Sequence, residues 1–260
     1  MVRPVESLTA TSGDPAMLER HLVRRVLAEV RWSFQWPCNW LLGVFVNLGL
    51  SLVWLAWVPL RGQPHHDWVI VVGTYFAVFI MADITTTNVL GLDAVRVRVS
   101  LASGVRVRRL LMTKNLALLV IVGLPTLLFT GVLTLHSELP HRLALTLPGV
   151  ALPMFAWLGV GNVVSVLLPV AVRPLRVRWL ERGNWRTTLP WLAHLSIPYA
   201  LLYAVDPVGD TPDLLVRQLP RDWRTEEVRG LVLLLTGLVI WLVGSWLAGR
   251  LVRRFGLRLR

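Results

Sequence analysis

Residues 115–135 read NLALLVIVGLPTLLFTGVLTL, a stretch without a single charged side chain. A helix of this length rises about 1.5 Å per residue and covers roughly 30 Å, the thickness of a bilayer's hydrocarbon core. Five further apolar stretches lie at residues 38–60, 68–92, 143–172, 189–205 and 230–249. We therefore predict an all-α polytopic membrane protein with about six transmembrane helices.

The composition of the chain agrees with burial in lipid. Of the 260 residues, 55% are hydrophobic, and the mean hydropathy is +0.59. One soluble core of this size could not hide so much apolar surface. The formal net charge of +12 would indicate nucleic-acid binding only if the basic residues shared one water-facing surface. They are instead distributed among the connecting segments, so we expect no nucleic-acid partner.

The distribution of basic residues predicts the orientation of the chain. Residues 1–37, 93–114, 173–188 and 250–260 hold 5, 6, 5 and 5 basic residues, which is 21 of the 27. The three alternate connectors hold the other 6. By the positive-inside rule the first set is cytoplasmic. Both termini are then expected in the cytoplasm. The chain has 26 arginines and one lysine, a bias that suggests a GC-rich genome, so we expect it in the plasma (inner) membrane of a bacterium.

The N-terminal part of the chain divides into a tail and a helix. Residues 1–16 are polar and contain Gly13 and Pro15, which predicts a loose tail. In residues 17–36 apolar side chains recur at three- and four-residue steps, which predicts an amphipathic helix at the membrane surface. Its basic residues are Arg20, Arg24, Arg25 and Arg31. Residues 37–260 then form the transmembrane domain.

Motifs for catalysis are not found in the sequence. A nucleotide-hydrolysing loop needs a Gly-rich turn that ends in Lys and a hydroxyl residue, but Lys114, the single lysine, is followed by Asn115. There is no His-Glu-x-x-His zinc helix and no Gly-x-Ser-x-Gly elbow. Cys38 is the single cysteine and has no metal-binding spacing. We therefore predict no catalytic residue, no metal site and no directly bound cofactor.

Polar residues inside the second span have two interpretations. Asp83, Thr86, Thr87 and Asn88 could line a transport path, because an ionised carboxylate within a span is costly unless it is paired or hydrated. Alternatively, Asp83 lies near the cytoplasmic end and bonds to a neighbouring helix or to water. The sequence leaves both interpretations open.

The connector at residues 93–114 mixes leucine and valine with arginine and is amphipathic. It could dock on a soluble partner, or its arginines could bind acidic lipid headgroups. Within it, residues 95–101 alternate with a period of two, as a strand would. We favour docking on a partner because of the following resemblance.

Residues 100–117 read SLASGVRVRRLLMTKNLA, a turn of small residues before a basic helix that leads through Lys114 into the third span. Together with the amphipathic N-terminal helix and the order of spans, this layout resembles the membrane subunit of type 2 ABC exporters along nearly the whole chain. Gly104 stands where many members of that family have proline.

The resemblance implies the roles of several residues. The turn would be the coupling helix that contacts a separate ATPase subunit, which binds ATP and Mg. The residues expected there are Ser100, Leu101, Gly104, Val105, Arg106, Arg108 and Arg109. Residues 17–36 would be the connecting helix beside it. A second permease subunit, identical or homologous, would complete the path, with membrane lipids around it and drugs, lipids, peptides or glycans as substrates.

Two other functions stay open from the residues alone. An ion-gradient-driven carrier would use Asp83 as its coupling site, although no internal repeat is detectable. A membrane-embedded lipid-modifying enzyme would need acidic or histidine residues clustered at one face, and those of the cytoplasmic segments are scattered.

Overall fold

The computed structural model of the chain describes residues 15–34, 69–70, 73, 87–91, 93–170, 183–186, 188–190, 193, 214, 216–221 and 225–257. Throughout these ranges the regular structure is helical and contains no strand, which confirms the predicted all-α class. The helices are α1 (Pro15–Ser33), α2 (Ala94–Ala102), α3 (Val107–Leu118), α4 (Leu124–Ser137), α5 (Leu143–Leu167) and α6 (Glu226–Phe255). A π-helix (Leu119–Gly123) joins α3 to α4, and a 3₁₀ turn (Pro140–Arg142) precedes α5.

Within this part of the chain, three helical stretches are long and apolar enough to cross a membrane. They are Val107–Ser137, Pro140–Leu167 and Glu226–Phe255, and they correspond to the predicted spans three, four and six. Span one and most of spans two and five lie outside the described residues.

The stretch Val107–Ser137 is one continuous helix that widens in the middle. Pro125 lies in the first turn of α4. Because its ring clashes with the carbonyl four residues earlier and it has no N–H to donate, an α-helix cannot continue unchanged through it. The π-helix Leu119–Gly123 lies directly before this proline and accommodates it without ending the span.

Helices α5 and α6 pack closely and run in the same direction. Gly230, Gly237 and Gly244 recur every seven residues on the face of α6 that meets α5. A Cβ added at Gly230 would overlap the carbonyl oxygen of Ala144, and one added at Gly244 would overlap that of Gly159. Small residues at this spacing let two helix backbones approach closely, as membrane helices commonly do.

Pro148 accounts for one of these contacts. It lacks an N–H, so it cannot donate the usual helical hydrogen bond to the carbonyl of Ala144, four residues earlier. Gly230 of α6 lies against that carbonyl. A side chain at position 230 would prevent this approach.

Helix α4 runs antiparallel to α5 and carries a column of threonines on its inner face. Thr126, Thr130 and Thr134 are fully buried, and each hydroxyl donates to the carbonyl four residues earlier at 2.8 Å. Thr134 Oγ1 also lies 3.0 Å from Oγ1 of Thr146 on α5. The hydroxyls are thus satisfied locally, and polar residues can pack inside an apolar bundle.

Several helix boundaries differ from the predictions. Helix α1 begins at Pro15, inside the predicted tail, since proline suits the first position of a helix. It ends at Ser33 rather than residue 36. Helix α5 ends at Leu167 rather than residue 172, because Leu168 precedes Pro169 and the α conformation is disfavoured there.

At two of the predicted spans the helix extends beyond the apolar stretch. The third span was predicted from residue 115, yet its helix starts at Val107. The sixth was predicted at 230–249, yet α6 covers Glu226–Phe255. The Thr225 side chain accepts a hydrogen bond from Val228 N at its start, and Gly256 with φ +70° ends it. Polar turns therefore extend each span beyond its apolar part.

Candidate functional site: a basic turn and the charged cluster behind it

The arginine-rich connector at residues 93–114 forms a helical hairpin. Its first arm is α2, which excludes the strand suggested by the two-residue alternation at 95–101. Gly104 follows α2 with φ +85°. Its N–H donates to the carbonyl of Leu101, and the N–H of Val105 donates to that of Ser100, both at 3.0 Å. These two bonds form a Schellman motif, which places a left-handed glycine just past the end of a helix.

The backbone conformation of the turn therefore explains why residue 104 is glycine and not proline. Proline fixes φ near −65° and has no N–H, so it could neither adopt this conformation nor donate to Leu101. The turn leads directly into α3, whose N-cap residue is Arg106 and whose first turn has no side-chain cap. The exposed N–H groups and the positive end of the helix dipole thus lie beside basic side chains.

The predicted coupling residues lie together on this hairpin. The side chains of Arg106, Arg108 and Arg109 are exposed, as is Gly104, while Ser100, Leu101 and Val105 are half-buried. Leu101 packs onto the inner apolar cluster that contains Val97 and Leu111. The turn therefore presents its arginines outward and anchors its apolar side chains inward.

Behind the turn lies a cluster of four charged side chains, which we call the charged cluster: Glu29 of α1, Asp93 and Arg96 at the start of α2, and Lys114 of α3. Lys114 Nζ lies 2.7 Å from Glu29 Oε1 and 2.9 Å from Asp93 Oδ2. Arg96 reaches the same two carboxylates, at 2.8 Å from Glu29 and 3.3 Å from Asp93. Two cations and two anions are thus held in one balanced network.

Burial distinguishes the charged cluster from surface ion pairs. Lys114 is 6% exposed, Glu29 8% and Asp93 9%, whereas the Arg96 side chain is 43% exposed. The guanidinium of Arg96 lies 4.1 Å from the centre of the Trp32 ring, and this contact shields one side of the cluster. Asp93 is also the N-cap residue of α2, but its carboxylate binds the two cations instead of capping the helix.

The pKa of Glu29 records the balance of forces in the cluster. Burial alone would raise this pKa, because it disfavours the ionised carboxylate. The Lys114 ammonium and the Arg96 guanidinium outweigh burial and hold the pKa of Glu29 below its ordinary value. Glu29 is therefore ionised at neutral pH, as the geometry requires.

The charged cluster includes residues that sequence reasoning did not select. Glu29 lies about one turn after Val26 on the buried face of α1, where an acidic residue among apolar ones is a detectable signal. Lys114 was assigned to the basic connector, yet it is buried in α3. The predicted residues Arg20, Arg24, Arg25 and Arg31 all belong to α1, and the last three have exposed side chains.

The predicted path residues of span two are described only near its C-terminal end. Asp83 and Thr86 lie outside the described residues. Thr87 and Asn88 are buried. The amide of Asn88 donates to the carbonyl of Val170 at 2.6 Å and accepts from its N–H at 3.0 Å. In this conformation Asn88 joins the end of span two to the chain after α5.

The arginines of the α2–α3 turn and those of the α6 C-terminus lie at the same end of the bundle. The α2–α3 turn meets the C-terminal part of α6, where Gly249 approaches the Cβ of Arg108, and α6 continues through Arg250, Arg253 and Arg254. At the opposite end, Arg142 pairs with Glu226 at 2.6 Å. In the described ranges no group of three His, Cys, Asp or Glu could hold a metal ion.

Comparisons with models of known protein families, with curated proteins and with solved structures give no match.

Proposed function

We propose that this chain is the membrane-spanning permease subunit of an ATP-driven exporter of the ABC class, and that a separate ATPase subunit docks on the turn between α2 and α3. The observation that carries the proposal is the continuity of Val107–Ser137. This helix begins at an exposed arginine-rich turn and continues without a break into a stretch that is long and apolar enough to cross a membrane.

The surface of the hairpin favours a protein partner. Val95 and Val99 on α2 are 70% and 65% exposed, next to Arg98 and close in sequence to the arginines of the turn. An apolar strip bordered by fixed positive charge suits a folded partner with an apolar patch and acidic side chains. The uncapped start of α3 adds to this preference for negative charge.

The charged cluster would transmit a movement of the turn into the bundle. It ties α1 to the start of α2 and to α3 through buried ion pairs, so these three helices cannot separate without exposing unpaired charges. Closure of ATPase subunits against the turn would therefore displace α1, α2 and α3 as one body. The bound ATP and Mg would belong to the partner.

The remaining parts of the working unit follow from this assignment. A second permease subunit, identical or homologous, would complete the path between the two chains, with membrane lipids around both. The arginine-rich end of the bundle would face the cytoplasm by the positive-inside rule. The polar residues of span two would line this path: Asp83, Thr86, Thr87 and Asn88. Asn88 would first have to break its hydrogen bond to the carbonyl of Val170.

Charge reversal tests the docking surface. The triple variant Arg106→Glu, Arg108→Glu, Arg109→Glu should lose the ATPase activity that copurifies with the tagged chain from native membranes in mild detergent. The matched control reverses Arg250, Arg253 and Arg254, three exposed arginines at the same end. The control should retain that activity. Equal ATPase recovery from both variants and the unaltered chain would refute docking at the turn.

Cysteine labelling tests the orientation. With Cys38 replaced by alanine, cysteines at Ser103 and at His141 report on the two ends of the bundle. A membrane-impermeant maleimide added to intact cells should label position 141 and leave position 103 unlabelled until the cells are opened. Labelling of position 103 from outside would place the turn on the wrong side for a cytoplasmic ATPase.

A further inference from the structure

An apolar strip runs along the side of α6 that is opposite the glycines facing α5. Its members are spaced by three or four residues, so they share one side of the helix. Each of them is between 47% and 57% exposed: Leu231, Leu235, Val239, Leu242, Val243 and Trp246. Because α6 is long and apolar enough to cross a membrane, this strip would lie against the acyl chains of lipid.

Three arginines continue the apolar strip at the C-terminal end of α6. Arg250 lies one turn after Trp246. Arg253 and Arg254 lie three and four residues after Arg250, so the three side chains are neighbours on the helix surface, and all three are exposed. The guanidinium of Arg250 lies 5.2 Å from the centre of the Trp246 ring, and that of Arg254 lies 5.4 Å from the centre of the Phe255 ring. These aromatic contacts hold two of the three charges where the apolar strip ends.

The charge of these arginines is not neutralised within the described ranges. The carboxylates that form ion pairs there do so elsewhere, Glu29 and Asp93 in the charged cluster and Glu138 and Glu226 with Arg142 at the other end of the bundle. Like charges three and four residues apart repel each other. The negative end of the helix dipole offsets only about half of one charge. An external anion would therefore be attracted to the three arginines.

We propose that Arg250, Arg253 and Arg254 bind the headgroup of an anionic phospholipid whose acyl chains lie along the apolar strip. A planar guanidinium donates two parallel hydrogen bonds to phosphate oxygens, which suits a phosphodiester. A free anion would contact the arginines alone, whereas a phospholipid carries its acyl chains and its phosphate in the order in which the strip and the arginines occur along α6. Trp246 lies at their junction, and aromatic rings prefer the headgroup boundary. This lipid site does not depend on the proposed transport function.

Thermal unfolding with added lipid tests the site, because a ligand that binds only the folded chain raises its melting temperature. In detergent-purified protein, phosphatidylglycerol at about ten times its dissociation constant should raise the melting temperature by about 3–6 °C. Phosphatidylcholine with the same acyl chains has no net charge and should raise it clearly less. Inorganic phosphate should not raise it, since it has no acyl chain. An equal shift with phosphatidylcholine or with inorganic phosphate would overturn the proposal.

Neutral substitutions locate the site on α6. The difference between the two lipids should disappear in the triple variant Arg250→Gln, Arg253→Gln, Arg254→Gln. The matched control makes the same change at three exposed arginines of the α2–α3 hairpin and should keep the difference: Arg98→Gln, Arg106→Gln, Arg109→Gln. If the α6 triple variant fails to fold, Arg250→Gln alone should lose the larger part of the difference, since Arg250 adjoins both other arginines. A difference that persists in the α6 variants, or that the control loses equally, would refute the lipid site.

Discussion

Replacing Lys114 by methionine removes the central cation of the charged cluster and keeps the length of the side chain. Glu29 Oε1 and Asp93 Oδ1 then each lose the donor that binds them at 2.7 and 3.1 Å. Removing one partner of a buried ion pair costs about 3–5 kcal/mol. Arg96 still reaches both carboxylates and is open to water, so we expect the free energy of unfolding to fall by the low end of this range, about 3 kcal/mol.

This loss should lower the melting temperature in detergent by roughly 6–12 °C, measured by intrinsic fluorescence of the tryptophans. Adding Asp93→Asn removes one of the two carboxylates that would otherwise share Arg96 as their one remaining cation, and the double variant should recover about half of the loss. The control is Arg98→Met, which removes an exposed arginine of α2 and should cost less than about 0.5 kcal/mol. If Lys114→Met melts like Arg98→Met, the charged cluster does not hold α1 to α3.

Three further changes test other parts of the fold. The pKa of Glu29 is lower in the folded chain than its ordinary value of 4.5, so ionised Glu29 stabilises the fold above pH 4.5 and this contribution is lost as the pH falls through the lowered pKa. Glu29→Gln should therefore melt at a lower temperature than the unaltered chain at pH 7, and the two melting temperatures should approach each other below pH 4.5. Gly244→Ala forces a Cβ into the backbone of Gly159 and should cost about 1–3 kcal/mol, whereas Gly249→Ala, with its Cβ in ordinary contact, should be tolerated in the same melting assay. In Gly104→Ala the alanine must adopt a left-handed backbone, although its Cβ would meet no other atom, so the free energy of unfolding should fall by about 1–2 kcal/mol. The proposed ATPase docking should persist in this variant.

The long apolar helices could be predicted from the sequence because their signal is local. A run such as residues 115–135 has one stable solution in a bilayer, a helix. The ends were less predictable, since Val107 to Lys114 are as basic as a loop yet are part of the helix. Proline is a local signal with two different outcomes here: Pro169 follows the end of α5, whereas α5 continues through Pro148 and Pro153.

The charged cluster could not be predicted because its partners are distant in sequence. Glu29 and Lys114 are separated by 85 residues, and nothing local to either indicates the other. The sequence instead predicts a site at the exposed arginines, because basic residues in a connector can be counted without knowing which residues they contact. Asn88 was selected for its polarity within a span, yet its amide bonds to the backbone at Val170.

The exposed arginines of the turn and the charged cluster behind them have complementary physical roles. An exposed arginine contributes little to stability, because water already solvates it, so the arginines of the turn are free to bind a partner. A buried ion pair is costly to break and contributes rigidity more than net stability. Exposed arginines lie beside Gly104, and buried ion pairs surround Lys114 and resist separation of α1, α2 and α3. A force applied at the turn would then reach α1 and the third span together, before the helix widens at Leu119–Gly123.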